Sequence, residues 1–403
     1  MSTEREQNGL DKRKTFRLDM LRAPFQGFVQ EGLMSLALLV AIRYFEGADT
    51  AKALIAASGS IGLLLNPLSL SWIARSGQRV SKAASFTLCL SAVALLCSLS
   101  AKSLWLFCLC CGLAAIFNVQ IFPLILQIYT RNYPANERGK RLSIASIIAG
   151  FGAATATYGA GRLLDLHIGT YPMIFVLLAA ATLLNAAILR RMPSDRLEVS
   201  SVGNPWKSVQ LAVTDRVFGF MLSAWMLMGI ANLMTLPLRT EYMANPDFAV
   251  NATNSEIAFI MVGVPAIARM IASPIWGALF DKVSVIIVRA SVNVFFLLSI
   301  GIFFNTSSLF WLGFAMACNG IANAGGSITW SLWVTKLAPK DKVAAYMSVH
   351  TASTGLRGVM SPFLGFYLLS VLSTAQLSFL GVSLVVLSTL MFVGLVRHPR
   401  FRP

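Results

Sequence analysis

The chain is predicted to be an all-α polytopic membrane protein, with 12 transmembrane helices in two pseudo-symmetric six-helix bundles. Its mean hydropathy is +0.69, and 56% hydrophobic against 12% charged residues is too apolar for one water-soluble core. Long apolar stretches recur along the whole chain, and the two halves carry matching patterns. The predicted organisation is an N-terminal bundle at 1–195, a cytoplasmic linker at 196–215 and a C-terminal bundle at 216–403.

Twelve apolar stretches are long enough to cross a bilayer core of about 30 Å, which takes about 20 helical residues. Seven are nearly free of charge, and five contain a few polar residues. Several exceed the minimum length, so tilted or kinked helices are expected, with kinks at Pro24, Pro123, Pro237, Pro265 and Pro362. The predicted spans are 18–45, 51–75, 82–101, 103–130, 141–165, 171–190, 217–240, 256–281, 284–304, 308–336, 342–370 and 374–396.

The basic charge follows the expected membrane topology. A net charge of +16 would suggest a nucleic-acid partner in a soluble protein. Here 25 of the 33 Lys and Arg residues lie in the tails and loops that share one side when both termini are cytoplasmic. This asymmetry predicts an even number of spans and no nucleic-acid partner. The polar N-terminus indicates a retained first helix, and the compact loops are typical of a bacterial inner-membrane protein.

The two halves repeat each other at equivalent spans, which indicates a duplicated six-helix unit around a central path. The matching positions, in chain order, are Pro67 with Pro274, Arg75 with Lys282, Gly112 with Gly313, Asn118 with Asn319, Pro134 with Pro339, Ser143 with Ser348 and Gly150 with Gly355.

These features resemble the major facilitator superfamily of transporters. Its members carry a Gly-x-x-x-Asp-Arg/Lys-x-Gly type of signature after span two, often repeated after span eight. The second-half copy here is residues 277–284, Gly-Ala-Leu-Phe-Asp-Lys-Val-Ser. The first-half copy keeps Arg75 and Gly77 but has Leu70 for the glycine and Ala74 for the acid. The resemblance covers the whole chain, including the basic loop that follows span four.

The resemblance implies that the loop charges act as a gate. Asp281, Lys282, Arg75 and Arg138 are the candidate gating residues. An acid at a cytoplasmic helix end pairs with Lys or Arg or caps a neighbouring helix, and such contacts favour one bundle arrangement over another. A solvated loop acid with little energetic effect is the other interpretation of Asp281.

Three charged residues lie at mid-membrane depth. Glu31, Arg269 and Arg357 are 12 to 15 residues from the inner end of their spans, about 18–22 Å deep. An ionised side chain there costs about 2.5 kcal/mol or more, so it normally faces a cavity or a partner. The resemblance implies a common cavity, with Glu31 as the proton-coupling residue. The alternative is a structural ion pair between Glu31 and an arginine.

Polar residues concentrate in spans one, four, seven and ten, which line the centre in the family. Each also has a simpler role available, an interhelical hydrogen bond of about 0.6–2 kcal/mol. The predicted substrate-binding residues are Arg357, Arg269, Gln30, Asn118, Gln120, Asn232, Asn319 and Asn323. His350 lies in span eleven among the same candidates.

The predicted function is secondary transport of a small solute by alternating access. Two arginines against one glutamate favour an anionic solute, with proton coupling. The alternative is a proton-driven exporter of lipophilic or cationic compounds, and a non-transporting receptor is a further one. Catalytic motifs such as His-Glu-x-x-His are missing, so no enzyme, cofactor or metal is expected. The expected partners are the lipid bilayer and a small-molecule substrate, and the expected state is a monomer.

Overall fold

The computed structural model describes residues 2–197, 210–339, 342–396 and 398. The chain forms two compact units, Met1–Val202 and Gly203–Pro403. Residues 198–209 of the predicted linker lie outside the described residues, so the bounds of the linker stay a prediction.

The first unit is helical throughout its described residues. Its α-helices are α1 (Ser2–Glu31), α2 (Ala37–Arg43), α3 (Asp49–Ser76), α4 (Val80–Cys97), α5 (Leu104–Val119), α6 (Ile121–Asn132), α7 (Ala135–Leu166) and α8 (Tyr171–Arg190). A π-helical turn, Gly32–Leu36, joins α1 to α2 within the first span. The N-terminal tail, expected to be polar and outside the span, continues the first helix back to Ser2.

The second unit has the same helical character. Its α-helices are α9 (Leu211–Thr214), α10 (Arg216–Ala244), α11 (Asn254–Ala258), α12 (Val264–Lys282), α13 (Val285–Phe303), α14 (Leu309–Leu337), α15 (Val343–Val371) and α16 (Thr374–Gly394). A π-helical turn, Phe259–Gly263, joins α11 to α12. Spans seven to twelve are therefore α10, α11 with α12, α13, α14, α15 and α16.

Ten helical stretches among the described residues are long and apolar enough to cross a membrane. The two remaining long helices, α14 and α15, have 29 residues each. They fall short in hydropathy, and they carry several of the polar candidates named above, including Asn319 and Arg357. Over the length of a membrane span, α14 and α15 are thus the most polar of the long helices in the described residues.

Two spans break four residues before a proline, whereas Pro24, Pro237 and Pro362 lie inside continuous α-helices. A proline lacks an N–H, and its ring clashes with the carbonyl four residues earlier. Pro123 follows the end of α5 at Val119 by four residues, and span four divides there into α5 and α6. Pro265 likewise lies four residues after Met261, and Met261 is inside the π-helical turn of span eight. The wider π-helical turn accommodates the ring.

A buried ion pair stabilises the first unit. Asp19 is fully buried and accepts hydrogen bonds from Arg22 Nε at 2.9 Å and from the Tyr129 hydroxyl at 2.6 Å. Arg22 Nη2 also donates to the Tyr129 oxygen at 2.8 Å. A buried charge needs such pairing, because desolvation costs several kcal/mol per ion. In this unit the buried arginine is therefore neutralised by an acid from its own helix.

Candidate functional site

A cluster of aromatic rings in the second unit surrounds His350 of α15. The ring centroid of His350 lies 5.1 Å from that of Trp330, 5.2 Å from Trp333 and 5.5 Å from Trp225. His350 is fully buried, and neither of its ring nitrogens has a hydrogen-bond partner among the described residues. We call these four residues, with Arg289 and Arg357, the Trp225 cluster.

Arg357 reaches this cluster from α15, two turns beyond His350. It is buried, and its Nη1 donates a hydrogen bond to the backbone carbonyl of Trp225 in α10. Gly229 lies one turn further along α10, where any side chain would overlap the Arg357 guanidinium. The position of the Arg357 guanidinium against α10 therefore depends on glycine. Arg357 Nε has no partner among the described residues.

Arg289 enters the cluster from α13 and stacks on the same tryptophan. It is 2% exposed, and its Cζ lies 4.0 Å from the ring centroid of Trp225. A cation over a tryptophan face gains about 2 kcal/mol when both are desolvated. That contact leaves the N–H donors of the guanidinium unused. Nε, Nη1 and Nη2 of Arg289 all lack a partner among the residues that the structure describes.

The cluster therefore concentrates positive charge. Arg289 and Arg357 are close enough to repel each other electrostatically, and His350 is within range of both. In the described ranges, neither arginine forms a salt bridge with a carboxylate. This differs from the first unit, where Asp19 neutralises Arg22. Two unneutralised guanidinium groups with in-plane donors form a site that complements a carboxylate or a phosphate.

The polar residues of spans seven and ten lie on the same unit. Asn323 donates from Nδ2 to Asn319 Oδ1 at 2.7 Å. Asn319 Nδ2 and Asn232 Oδ1 are buried atoms without a partner in the described residues. These amides retain a free donor and a free acceptor.

In the first unit the predicted polar residues make interhelical hydrogen bonds. Gln26 connects two helices, because its Nε2 donates to Asn118 Oδ1 at 3.4 Å and its Oε1 accepts from Asn185 Nδ2 at 2.6 Å. Gln120 donates to the Gly62 carbonyl at 2.9 Å and accepts from the Ser69 hydroxyl. The contacts of Asn118 and Gln120 are thus interhelical hydrogen bonds, although Asn118 Nδ2 has no partner among the described residues. Their part in substrate binding stays a prediction.

The charged candidates separate into different environments. Glu31 and Gln30 are half-buried, and Glu31 is the last residue of α1, directly before the π-helical turn. Arg269 is exposed, and so are the gating candidates Arg75 and Lys282. The predicted central cavity joins residues of both units and stays a prediction.

Arg138 contacts the end of a neighbouring helix, and its gating role stays a prediction. Its Nη2 donates to the carbonyls of Thr130 at 3.2 Å and Tyr133 at 3.3 Å. It therefore caps the carboxyl end of α6, a favourable place for a cation. The side chain of Asp281 lies outside the described residues.

Arg289 and Gly229 were missed from the sequence. In the sequence, Arg289 looks like a basic loop residue, because it lies close to the beginning of span nine. It is in fact the fifth residue of α13, in an otherwise uncharged helix. A cation one turn inside an apolar span is the signal that identifies it. Gly229 gives no such signal, since its role depends on which side chain faces it.

Many apolar spans and a buried polar cluster define a polytopic helical membrane protein of the transporter type. The chain belongs to the major facilitator superfamily, whose family model matches residues 25–249 and 235–403. It is accordingly a transporter of that family, with the family fold of two repeated halves.

Solved structures agree on the fold. The nucleoside transporter NupG superposes with a TM-score of 0.74 at 13% identity, covering 96% of this chain and 99% of that one. A POT family transporter in complex with a thioalcohol-conjugated peptide gives 0.73 at 14% identity, covering 94% and 95%. A D-xylose–proton symporter gives 0.69 at 15% identity, covering 97% and 98%. No curated protein sequence matches this chain.

Proposed function

We propose that this transporter moves a small anionic solute across the membrane by alternating access, coupled to protons. The observation that carries the proposal is the pair of buried arginines, Arg289 and Arg357, at one tryptophan. Charged residues inside membrane spans normally pair with an opposite charge or mark a substrate path. Within the described residues no acid pairs with either arginine. Arg239 is also buried without a carboxylate partner among those residues, so the proposal depends on the convergence of two arginines at one tryptophan and not on a missing acid alone.

The geometry favours a carboxylate or phosphate over a smaller anion. The centroid of the Trp225 ring lies 4.0 Å from Arg289 Cζ, and this contact restricts the movement of the guanidinium. A planar fork held in one orientation grips two oxygens through parallel hydrogen bonds. Arg357 approaches the same tryptophan through its carbonyl. The two guanidinium groups are thus positioned by one residue, and this reduces the entropy cost of binding a ligand between them.

A thermal-shift screen of the purified full-length chain tests the solute class. Succinate and glycerol phosphate represent acidic solutes, xylose and adenosine neutral ones, and tetraphenylphosphonium a lipophilic cation. Saturation at 100 times Kd stabilises a protein by about 2.7 kcal/mol, so a true ligand raises the apparent Tm measurably. We expect only acidic solutes to do so, and a response restricted to the cation would favour the exporter alternative.

Arg239 provides a matched control for Arg357. It is also a buried arginine and lies in α10. Its Cζ is 5.5 Å from the ring centroid of Phe303. It is fourteen residues from Trp225, about 21 Å along the helix. Arg357→Gln is expected to abolish the shift caused by the acidic solute, whereas Arg239→Gln leaves it in place. Equal loss in both variants would mean that only stability has changed.

Proton coupling is assigned to Glu31. Glu31→Gln mimics the protonated acid, so it is expected to remove the pH dependence of uptake while exchange of solute across the membrane continues. Counterflow in proteoliposomes measures exchange separately from net uptake. A variant that keeps the pH dependence of the parent protein would exclude Glu31 from this role.

Both termini are proposed to lie in the cytoplasm of a bacterial cell. Asn251→Cys is expected to react with an impermeant maleimide from outside, and a cysteine appended to the C-terminus only after the cells are opened. Cys97, which is exposed, is replaced by Ser in the background. Labelling of the appended cysteine in intact cells would contradict the even number of spans.

A further inference from the structure

The first unit contains a cavity of about 540 Å³ outside the Trp225 cluster. It lies where the ends of α4, α6 and α8 meet the first helix. Seven of its thirteen lining residues are cationic and two are acidic. Such an excess of one charge in a concave site focuses the field and attracts counter-ions.

One wall of the cavity is residues 191–196, the short segment that follows α8. Its backbone carbonyl at Asp195 accepts from Val80 N at 2.9 Å, and Ser194 Oγ accepts from Ser81 N at 3.0 Å. Arg79 and Arg196 face each other in an antiparallel bridge. The first N–H groups of α4 are therefore already occupied, so a ligand in the cavity is recognised by side chains.

One arginine uses both acidic groups of the cavity. Arg131 donates from Nε to Asp195 Oδ2 at 2.6 Å and from Nη1 to Asp11 Oδ2 at 3.1 Å. Among the described residues, none of the other cations in the cavity forms a salt bridge. They are Lys14, Arg79, Lys82, Arg190, Arg191 and Arg196. Six cations thus share one concave site without carboxylate partners.

We propose that this cavity binds a phosphate-bearing anion. It lies at the ends of α4, α6 and α8, which belong to stretches long and apolar enough to cross a membrane, and lipid headgroups are expected at the ends of such helices. Arginine forks match the oxygens of a phosphate in pairs, and clustered basic pockets at this level attract anionic headgroups. The phosphate comes either from an anionic phospholipid or from a soluble phosphate compound, and the same side chains recognise both.

The positive-inside rule accounts for basic residues at this membrane face without any ligand. It predicts that the cations act through their total charge, wherever they lie on that face. A binding site predicts instead that the cations of the cavity matter more than equally exposed cations outside it. Arg13 and Arg17 of α1 are exposed and do not line the cavity, so they provide the comparison.

Native mass spectrometry of the purified full-length protein measures binding. The probes are dioctanoyl phosphatidylglycerol, dioctanoyl phosphatidylcholine, glycerol phosphate and inorganic phosphate. A direct hydrogen bond from a side chain to a bound anion contributes about fivefold or more to its affinity. Arg79→Gln with Arg190→Gln is therefore expected to weaken binding of the anion about 30-fold. Lys82→Gln with Arg191→Gln provides a second, independent pair.

The control pair, Arg13→Gln with Arg17→Gln, removes the same charge and is expected to weaken binding less than threefold. Preference for phosphatidylglycerol over the soluble phosphates identifies a lipid site. Binding of a soluble phosphate with the same residue dependence and no lipid preference identifies a soluble ligand. The proposal is wrong if the control pair weakens binding as much as the cavity pairs do. It is also wrong if phosphatidylcholine binds as well as phosphatidylglycerol, or if none of the four probes binds.

Discussion

Gly229→Ala tests whether α10 and Arg357 fit together as described. The added methyl group would overlap the guanidinium, so Arg357 must move away from the Trp225 carbonyl. A hydrogen bond to a charged group contributes about 1.5–3 kcal/mol. Alanine in a helix gains about 1 kcal/mol over glycine. The net expectation is a loss of about 0.5–2 kcal/mol of unfolding free energy, together with weaker binding of the anionic solute.

Gly313→Ala is the matched control, because Gly313 lies inside α14 and an added methyl meets no atom within 4 Å. It should be neutral or stabilising. Tryptophan fluorescence during thermal unfolding compares the variants, and a double-mutant cycle with Arg357→Ala isolates the contact. The expected coupling is about 1.5–3 kcal/mol. If Gly229→Ala stabilises the protein as much as Gly313→Ala does, the assigned contact between Gly229 and Arg357 is wrong.

Two further predictions concern the first unit. Gly152→Ala would press a methyl group against the backbone of α1 and is expected to cost about 1–3 kcal/mol, whereas Gly159→Ala on the same helix meets open space and costs nothing. Thermal unfolding of the pair distinguishes close packing from a general intolerance of alanine. Asp19→Asn leaves Arg22 as an uncompensated buried charge and is expected to cost about 3–5 kcal/mol, part of which returns when Arg22→Gln is added. No recovery in the double variant would show that the pair does more than neutralise charge.

The helical membrane architecture was predictable because it depends on length and composition. A span needs only enough apolar residues, and that property can be read from each stretch of the chain by itself. The breaks in spans four and eight were predictable to within a turn, since Pro123 and Pro265 act on the carbonyl four residues earlier. The start of the first helix at Ser2 was not predictable. The polar residues of this segment contact other parts of the chain, as Lys12 contacts Glu137, and the sequence does not show such contacts.

The candidate site was only partly predictable, because side-chain partners come from other helices. Arg357 is conspicuous as a charge in an apolar span. Asn118 and Gln120 looked equally conspicuous, yet they bond to neighbouring helices in the first unit. Arg289 looked like a loop residue, although its side chain reaches Trp225. Hydropathy records where a polar residue lies along the chain, but not the residue that it faces.

Trp225 contacts both arginines of the site, and these contacts partly offset the free-energy cost of burying them. Its ring supports Arg289, and its carbonyl accepts a hydrogen bond from Arg357, so one residue of α10 holds two mutually repelling cations close together. Stacking and one hydrogen bond offset only part of the cost of burying two like charges. In the proposed function, an anion bound between them offsets the rest. It therefore binds best to the arrangement in which both arginines converge, and by mass action it stabilises that arrangement over any other that the unit adopts.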